Sequence, residues 1–302
     1  MTRIPFTKLV GTGNDFVVVD TRSRKVTAPK QGWAAVSQAW CNRRHGIGAD
    51  GVLVLEPSRR ADVVMRVFNP DGSEAEMCGN GARCVALYQA HSTPPSGGRQ
   101  QTAGSKNGHI TIETKAGILT ATVKGERVAM RMTDPTNLRE EFSVNIGGPA
   151  LHMGFVNTGV PHAVVPVSDL SAVDVAQLGR LLRSHPFFAP AGTNVNFIQA
   201  DARQPDRIQV RSYERGVEEE TLACGTGVAA SAVWHAVRTS RPAPGQHVRR
   251  RIEASVRSGD RLHVSMDLER IGRGVRVTNV MLEGPAQRVF DGVAEWPSGR
   301  SA

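Results

Sequence analysis

The chain has 302 residues, 40% hydrophobic, 22% charged and 5% aromatic, and at about 150 residues per domain it is long enough for two domains with cores of their own. Lys and Arg number 37 against 28 Asp and Glu, a formal charge of +9, but the densest cluster, Arg249-Arg250-Arg251, runs straight into an alternating strand pattern and reads as a solvated face, not a nucleic-acid grip. No apolar run approaches the roughly 18–20 residues of a membrane span, no apolar segment near the N-terminus suggests secretion, and four cysteines are too few for a disulfide scaffold. A cytoplasmic globular protein is expected, binding neither membrane nor nucleic acid.

In chain order, Phe16-Val17-Val18-Val19 opens a β-rich segment, and Trp33, Val36 and Trp40 mark one face of an amphipathic helix. Val52–Leu55 reads as a buried strand and Val63–Phe68 as another, stopped by the turn residues Asn69-Pro70-Asp71-Gly72. A helix follows over Ala82–Ala90, then a Gly/Ser/Pro/Gln-rich loop over 91–107, then alternating strands from Ile110 to Met132 turning at Gly117 and Gly125. The second half repeats the order: a helix near Val173–Leu182, a strand at Ile208–Tyr213, a helix after Cys224, a Pro/Gly loop at 241–246 and strands from Ile252.

The chain is thus read twice. Thr12-Gly13 falls on Thr158-Gly159, Gly46 on Gly192, and Cys78-Gly79-Asn80-Gly81 on Cys224-Gly225-Thr226-Gly227, all at an offset of 146. Val228-Ala229-Ala230-Ser231-Ala232-Val233-Trp234 is apolar nearly all round and belongs inside a core. The expected fold is α/β (α+β): two homologous domains related by a pseudo-twofold axis, each a mixed or antiparallel sheet wrapped around a central helix. The expected boundaries are 1–127, joined by 284–302 with Gln287–Phe290 returning as a strand, and 128–283.

The chemistry is concentrated in MCGNGAR (77–83) and ACGTGVA (223–229). A Cys at a helix N-terminus feels the positive end of the macrodipole and unpaired N–H groups, so a lowered thiol pKa is expected. The glycines admit a ligand close to those amides, which makes each motif an anion hole. Two opposed thiols flanking one carbon suffice to invert a stereocentre, one removing a proton and the other returning it. His162 and Glu214 are candidates for tuning the thiols, and Arg215 offers a fork for a carboxylate. Cys41 and Cys84 read as packing residues. The nine histidines show no metal-ligand spacing, and Gly11-Thr12-Gly13 lacks the third glycine of a dinucleotide fingerprint, so neither metal nor cofactor is expected.

Six segments, FTKLVGTGNDF (6–16), RHGIGADG (44–51), FNPDGSEAEMCGNGARC (68–84), GVPH (159–162), GTNVNF (192–197) and YERGVEEETLACGTG (213–227), resemble the diaminopimelate epimerase family. The resemblance implies a cofactor-independent isomerase interconverting LL- and meso-diaminopimelate on the route to lysine and peptidoglycan precursors, usually as a homodimer. It implies Cys78 and Cys224 as proton donor and acceptor, with His162 and Glu214 setting their pKa values. Asn14, Asn69, Asn194, Glu214 and Arg215 would bind substrate, with the backbone amides of Gly79, Asn80, Gly225 and Thr226 holding the reacting carboxylate. Many members carry Gln where Gly51 stands and Asn where Val160 stands, so two side-chain contacts differ here. The competing reading is a two-thiol racemase of another amino acid, of the proline or histidine kind.

Overall fold

The computed structural model describes residues 2–22, 26, 29–92, 109–148, 150–240, 242–272 and 274–296. The loop expected over 91–107 lies almost wholly outside them, as does Arg241 of the second loop. Two compact units emerge, one of Met1–Met130 with Gly284–Ala302 and the other of Arg131–Glu283. The division falls a few residues beyond 127 because the strand over Arg127–Arg131 pairs antiparallel with the one before it and stays with the first unit for most of its length.

The first unit begins with β1 (Thr2–Gly11) and β2 (Asn14–Asp20), an antiparallel hairpin turning at Thr12-Gly13, both at positive φ. After α1 (Gly32–Trp40), β3 (Gly51–Glu56) lies parallel to β2, and β4 (Val63–Phe68) returns antiparallel to β3. A short β5 (Glu74–Ala75) leads into α2 (Gly79–His91). The meander β6 (His109–Thr114), β7 (Gly117–Lys124) and β8 (Arg127–Arg131) follows, with β6 parallel to β4.

Both faces of β2 and β3 are apolar, and each face has its own helix. Phe16, Val18, Leu53 and Leu55 pack with Ala82, Val85, Ala86 and Leu87 of α2, whereas Val17, Val19, Val52 and Val54 pack with Trp33, Val36 and Trp40 of α1. A period-2 strand with helices on both sides has no solvent face, which is why these segments read as continuous apolar runs.

The second unit repeats the plan. It comprises β9 (Thr136–Val144), β10 (Leu151–Asn157), β11 (Pro161–Pro166), α3 (Val175–Arg183), β12 (Asn194–Ala200), β13 (Arg207–Glu214), β14 (Glu219–Thr221), α4 (Gly225–Thr239), β15 (His247–Val256), β16 (Arg261–Ile271) and β17 (Gly274–Pro285). Here β11 is parallel to β12, β12 antiparallel to β13, and β13 parallel to β15, matching β2, β3, β4 and β6 in order and sense. The helix α4 fills the core against Val156, Val164, Ile198, Ile208, Val210, Ile252, Val264 and Leu268, while α3 covers the opposite face with Val165, Phe197 and Tyr213. The closing strand β18 (Gln287–Trp296) returns to the first unit and pairs antiparallel with β1 along its length.

Close approach of helix to strand sets two tolerances. A Cβ on Gly154 of β10 would stand 1.8 Å from Trp234 Nε1, an atom that donates to the Glu140 carbonyl. A Cβ on Gly179 of α3 would stand 2.5 Å from the Tyr213 side chain. Either glycine changed to Ala should lower the free energy of unfolding by roughly 1–3 kcal/mol. Gly125→Ala, where a Cβ meets nothing within 4 Å but φ is +61°, should cost about 1 kcal/mol through backbone strain alone. Urea titrations of the three variants check the order.

Candidate active site

Each central helix starts at a cysteine. Cys78 is the N-cap of α2, with extended backbone (φ −140°, ψ 116°), and its sulfur accepts from Gly81 N at 3.4 Å. Cys224 is the N-cap of α4 in the same conformation (φ −107°, ψ 107°), its sulfur accepting from Gly227 N at 3.4 Å. The following amides, Gly79 and Asn80 in one unit and Gly225 and Thr226 in the other, open their helices, where no carbonyl of the preceding turn can reach them. A Cβ on Gly79 would meet nothing within 4 Å, so the space above this helix end is open.

The turns between paired strands are tied onto these helix ends. In the first unit, Asn80 Nδ2 donates to Asn14 Oδ1 at 2.6 Å, and Asn14 Nδ2 donates to Asp50 at 2.9 Å. Arg83, fully buried, donates to both Thr12 Oγ1 and Asn80 Oδ1 at 2.6 Å. Arg43 and Lys8 both pair with Asp15; burial favours its protonation, but the two cations outweigh burial and hold the carboxyl at about 2. The second unit does the same with fewer groups, Thr158 Oγ1 donating to the Thr226 carbonyl at 3.1 Å. Asn69 stands apart from this network, on the exposed turn after β4, with Nδ2 bonded to Ser73 Oγ at 2.9 Å.

Around Cys224 the structure brings several expected residues together. Glu214, the last residue of β13, is largely buried and accepts a hydrogen bond from Thr221. Burial raises its pKa, held back by the Thr221 hydroxyl and then by the Cys224 thiol. The Cys224 thiol is itself pushed well up, first by burial and then by the Glu214 charge. The lowered pKa expected from the helix terminus is therefore not found at Cys224: desolvation and a neighbouring carboxylate outweigh the amide of Gly227. Cys41 and Cys84 are both raised by burial, Cys84 to about 12, and both sit in core clusters.

Asn194 and Arg215 form a unit. Asn194 Oδ1 accepts from Arg215 N at 2.9 Å and its Nδ2 donates to the Pro161 carbonyl at 3.1 Å, so much of its side chain is spent fixing the backbone. The guanidinium of Arg215 donates to Ala191 O at 2.8 Å through Nη1. His162 is fully buried, and burial, then the charge of Arg215, lowers its pKa to about 3. The sequence reading passed over Asn196, which is buried beside His162 and Gly227. An Asn at strand period from Asn194, inside an otherwise apolar run, was the signal available.

The family model for diaminopimelate epimerase matches residues 6–138 and 154–266. The chain belongs to the diaminopimelate epimerase family. It is 37% identical to the diaminopimelate epimerase of Aquifex aeolicus (strain VF5), over 95% of this chain and 96% of the relative, and 38% identical to that of Methanocella arvoryzae over 97% of each. Among solved structures, a PhzF-family phenazine biosynthesis protein from Bacillus anthracis superimposes with a TM-score of 0.68 at 19% identity, covering 98% of this chain and all of that one. A hydroxyproline epimerase from Agrobacterium vitis does so at 0.62 and 17%, covering 97% and 92%. At such identities these two share the fold. Set against the family pattern, Gly51 opens β3, where a Cβ would lie 3.0 Å from the Phe68 carbonyl, and Val160 is half-buried in the turn before His162.

Two measurements follow from the geometry of α4. Glu214→Gln removes the charge that raises Cys224, so thiolate absorbance of the variant should titrate at lower pH than in the parent. Gly227→Ala places a Cβ 2.2 Å from Asn196 Oδ1 and should cost roughly 1–3 kcal/mol of stability, whereas Gly79→Ala should be near neutral by the same denaturation assay.

Proposed function

We propose that the protein interconverts LL- and meso-2,6-diaminopimelate without a cofactor, Cys78 and Cys224 acting as the acid/base pair. The observation that carries this reading is the duplicated cysteine N-cap, in a chain whose curated relatives are named diaminopimelate epimerases. In each direction one sulfur, as thiolate, takes the α-proton and the other, as thiol, returns a proton to the opposite face of the same carbon. Each turnover thus leaves the two protonation states exchanged.

The carboxylate at the reacting carbon is held by the Gly79, Asn80, Gly225 and Thr226 amides, where helix dipoles favour negative charge and strengthen as it develops in the transition state. Glu214, whose charge acts on the Cys224 thiol, is the group placed to exchange a proton with it. Among the described residues no group of ligands suits a metal, and the chemistry needs none. The distal amino-acid head is bound by Arg215 and the asparagines Asn14, Asn69 and Asn194, with Asn69 reached from the turn where Ser73 now holds it. The Gly51 and Val160 positions contribute no amide side chain, so this distal grip rests on fewer groups.

We place the enzyme in the cytoplasm on the route to lysine and peptidoglycan precursors, where thiols are kept reduced. It acts as a homodimer; Val289, Phe290 and Val293 of β18 expose apolar side chains suited to a second copy.

Incubation with LL-diaminopimelate in heavy water should give meso isomer and α-deuterium together. Cys78→Ala and Cys224→Ala should each abolish epimerisation, while Cys41→Ala and Cys84→Ala keep it. Turnover by either of the first two variants would sink the two-thiol mechanism, and faster α-exchange of proline than of diaminopimelate would transfer the assignment to the racemase reading. Arg215→Lys keeps the charge but not the planar fork, and should raise KM about tenfold or more.

A further inference from the structure

The amide of Asn196 has its orientation fixed from two sides. Its Nδ2 lies 3.1 Å from the Ala163 carbonyl, an atom that can only accept, and its Oδ1 lies 2.8 Å from Ser212 Oγ. Turned over, the amide would set oxygen against the Ala163 carbonyl. The second Nδ2 hydrogen therefore points to the remaining neighbour, His162 Nδ1, also 3.1 Å away. An N–H aimed at Nδ1 requires a lone pair there, and a neutral imidazole with its lone pair on Nδ1 carries its proton on Nε2. All four groups are buried: His162 and Asn196 are fully enclosed and Ser212 nearly so. The Nε2 atom of His162 is itself buried and has no hydrogen-bond partner among the described residues.

We infer that Asn196 is a positioning residue that locks His162 as the neutral Nε2–H tautomer, so that His162 enters the reaction as a hydrogen-bond donor and not as a base. The tautomer follows from the geometry alone; its catalytic consequence rests on the epimerase reading above. To accept a proton, His162 would have to take it on Nδ1 and break the bond from Asn196, inside a site where burial and the charge of Arg215 already oppose a cation. What His162 can do without rearrangement is donate through Nε2, which stabilises a thiolate or a substrate carboxylate and discourages the thiol. A single unpaired buried donor is costly to the resting protein, a cost expected where a ligand supplies the acceptor. The same amide explains why position 227 is glycine: its Oδ1 occupies the space a Cβ would need.

The test is nitrogen NMR of the intact protein labelled with 15N-histidine, His162 being assigned by its loss in His162→Gln. Without substrate at neutral pH, His162 should show an unprotonated Nδ1 and a protonated Nε2. Asn196→Asp keeps the shape but presents a carboxylate that can only accept, so the proton should move to Nδ1 and the ring should become easier to protonate. Its kcat for diaminopimelate epimerisation should fall on the order of 100-fold with KM changed far less, and the acid limb of the pH profile should move to higher pH. Ser212→Ala leaves both Nδ2 donors in place and should keep the parent tautomer. A protonated Nδ1 in the unaltered protein overturns the inference whether or not Asn196→Asp folds, and so does the parent tautomer persisting in a folded Asn196→Asp variant. A flipped tautomer with unchanged kcat and pH profile overturns the role in the reaction. Absence of epimerisation in the parent enzyme would sink the proposed function, while the tautomer would still stand or fall on the spectrum.

Discussion

Everything distinctive about this chain depends on two helices whose bodies fill the cores of the two units while their first turns, each capped by a cysteine, stay only partly covered. The first turn of any helix leaves backbone N–H groups that must find acceptors. In α2 and α4 the N-cap that meets one of them is a cysteine sulfur, bound at 3.4 Å in each case. A Ser or Asp would cap more strongly. A thiol caps weakly and leaves a reactive group at the positive end of the helix. The second glycine of each motif is packed against a side chain, Gly81 against Leu53 and Gly227 against Asn196.

That arrangement needs rigid surroundings. The Thr12–Asn14 and Thr158–His162 turns lie at corresponding places in the repeat and are each bonded to the second residue of the cysteine helix. The first unit uses a buried arginine, two asparagines and an Asp15–Asp50 pair neutralised by Lys8 and Arg43. The second uses a threonine and, around His162, an amide network closed by Ser212. Homologous backbones thus carry unlike polar chemistry.

The electrostatics of Cys224 show how tertiary context reverses a local rule. The helix end and Gly227 N favour thiolate, yet burial and Glu214 push the thiol the other way. Burial and the neighbouring carboxylate make the Cys224 thiol a weaker acid than its helix end alone would.

How much of this was legible in the sequence divides along physical lines. The repeat, the two cysteine helices and the apolar strands were visible because hydrophobic period and glycine position are properties of neighbouring residues. So was the family, since its motifs lie in contiguous runs. The strands β1, β9 and β10 were less visible, their alternation diluted by Arg, Glu and His on a wet face. The sequence could name His162 and Glu214 as polar groups near the motif, but not the sign of their effect, because a pKa depends on burial and on charges brought from other elements of the fold. Asn196 was hidden for the same reason: its bonds reach His162, Ala163 and Ser212 on other strands, 34, 33 and 16 positions distant. Composition and local pattern determined that this chain folds twice into a sheet around a cysteine-capped helix. Only the tertiary structure decided which proton each buried group holds, since that is settled by donors, acceptors and desolvation that the fold gathers from distant strands.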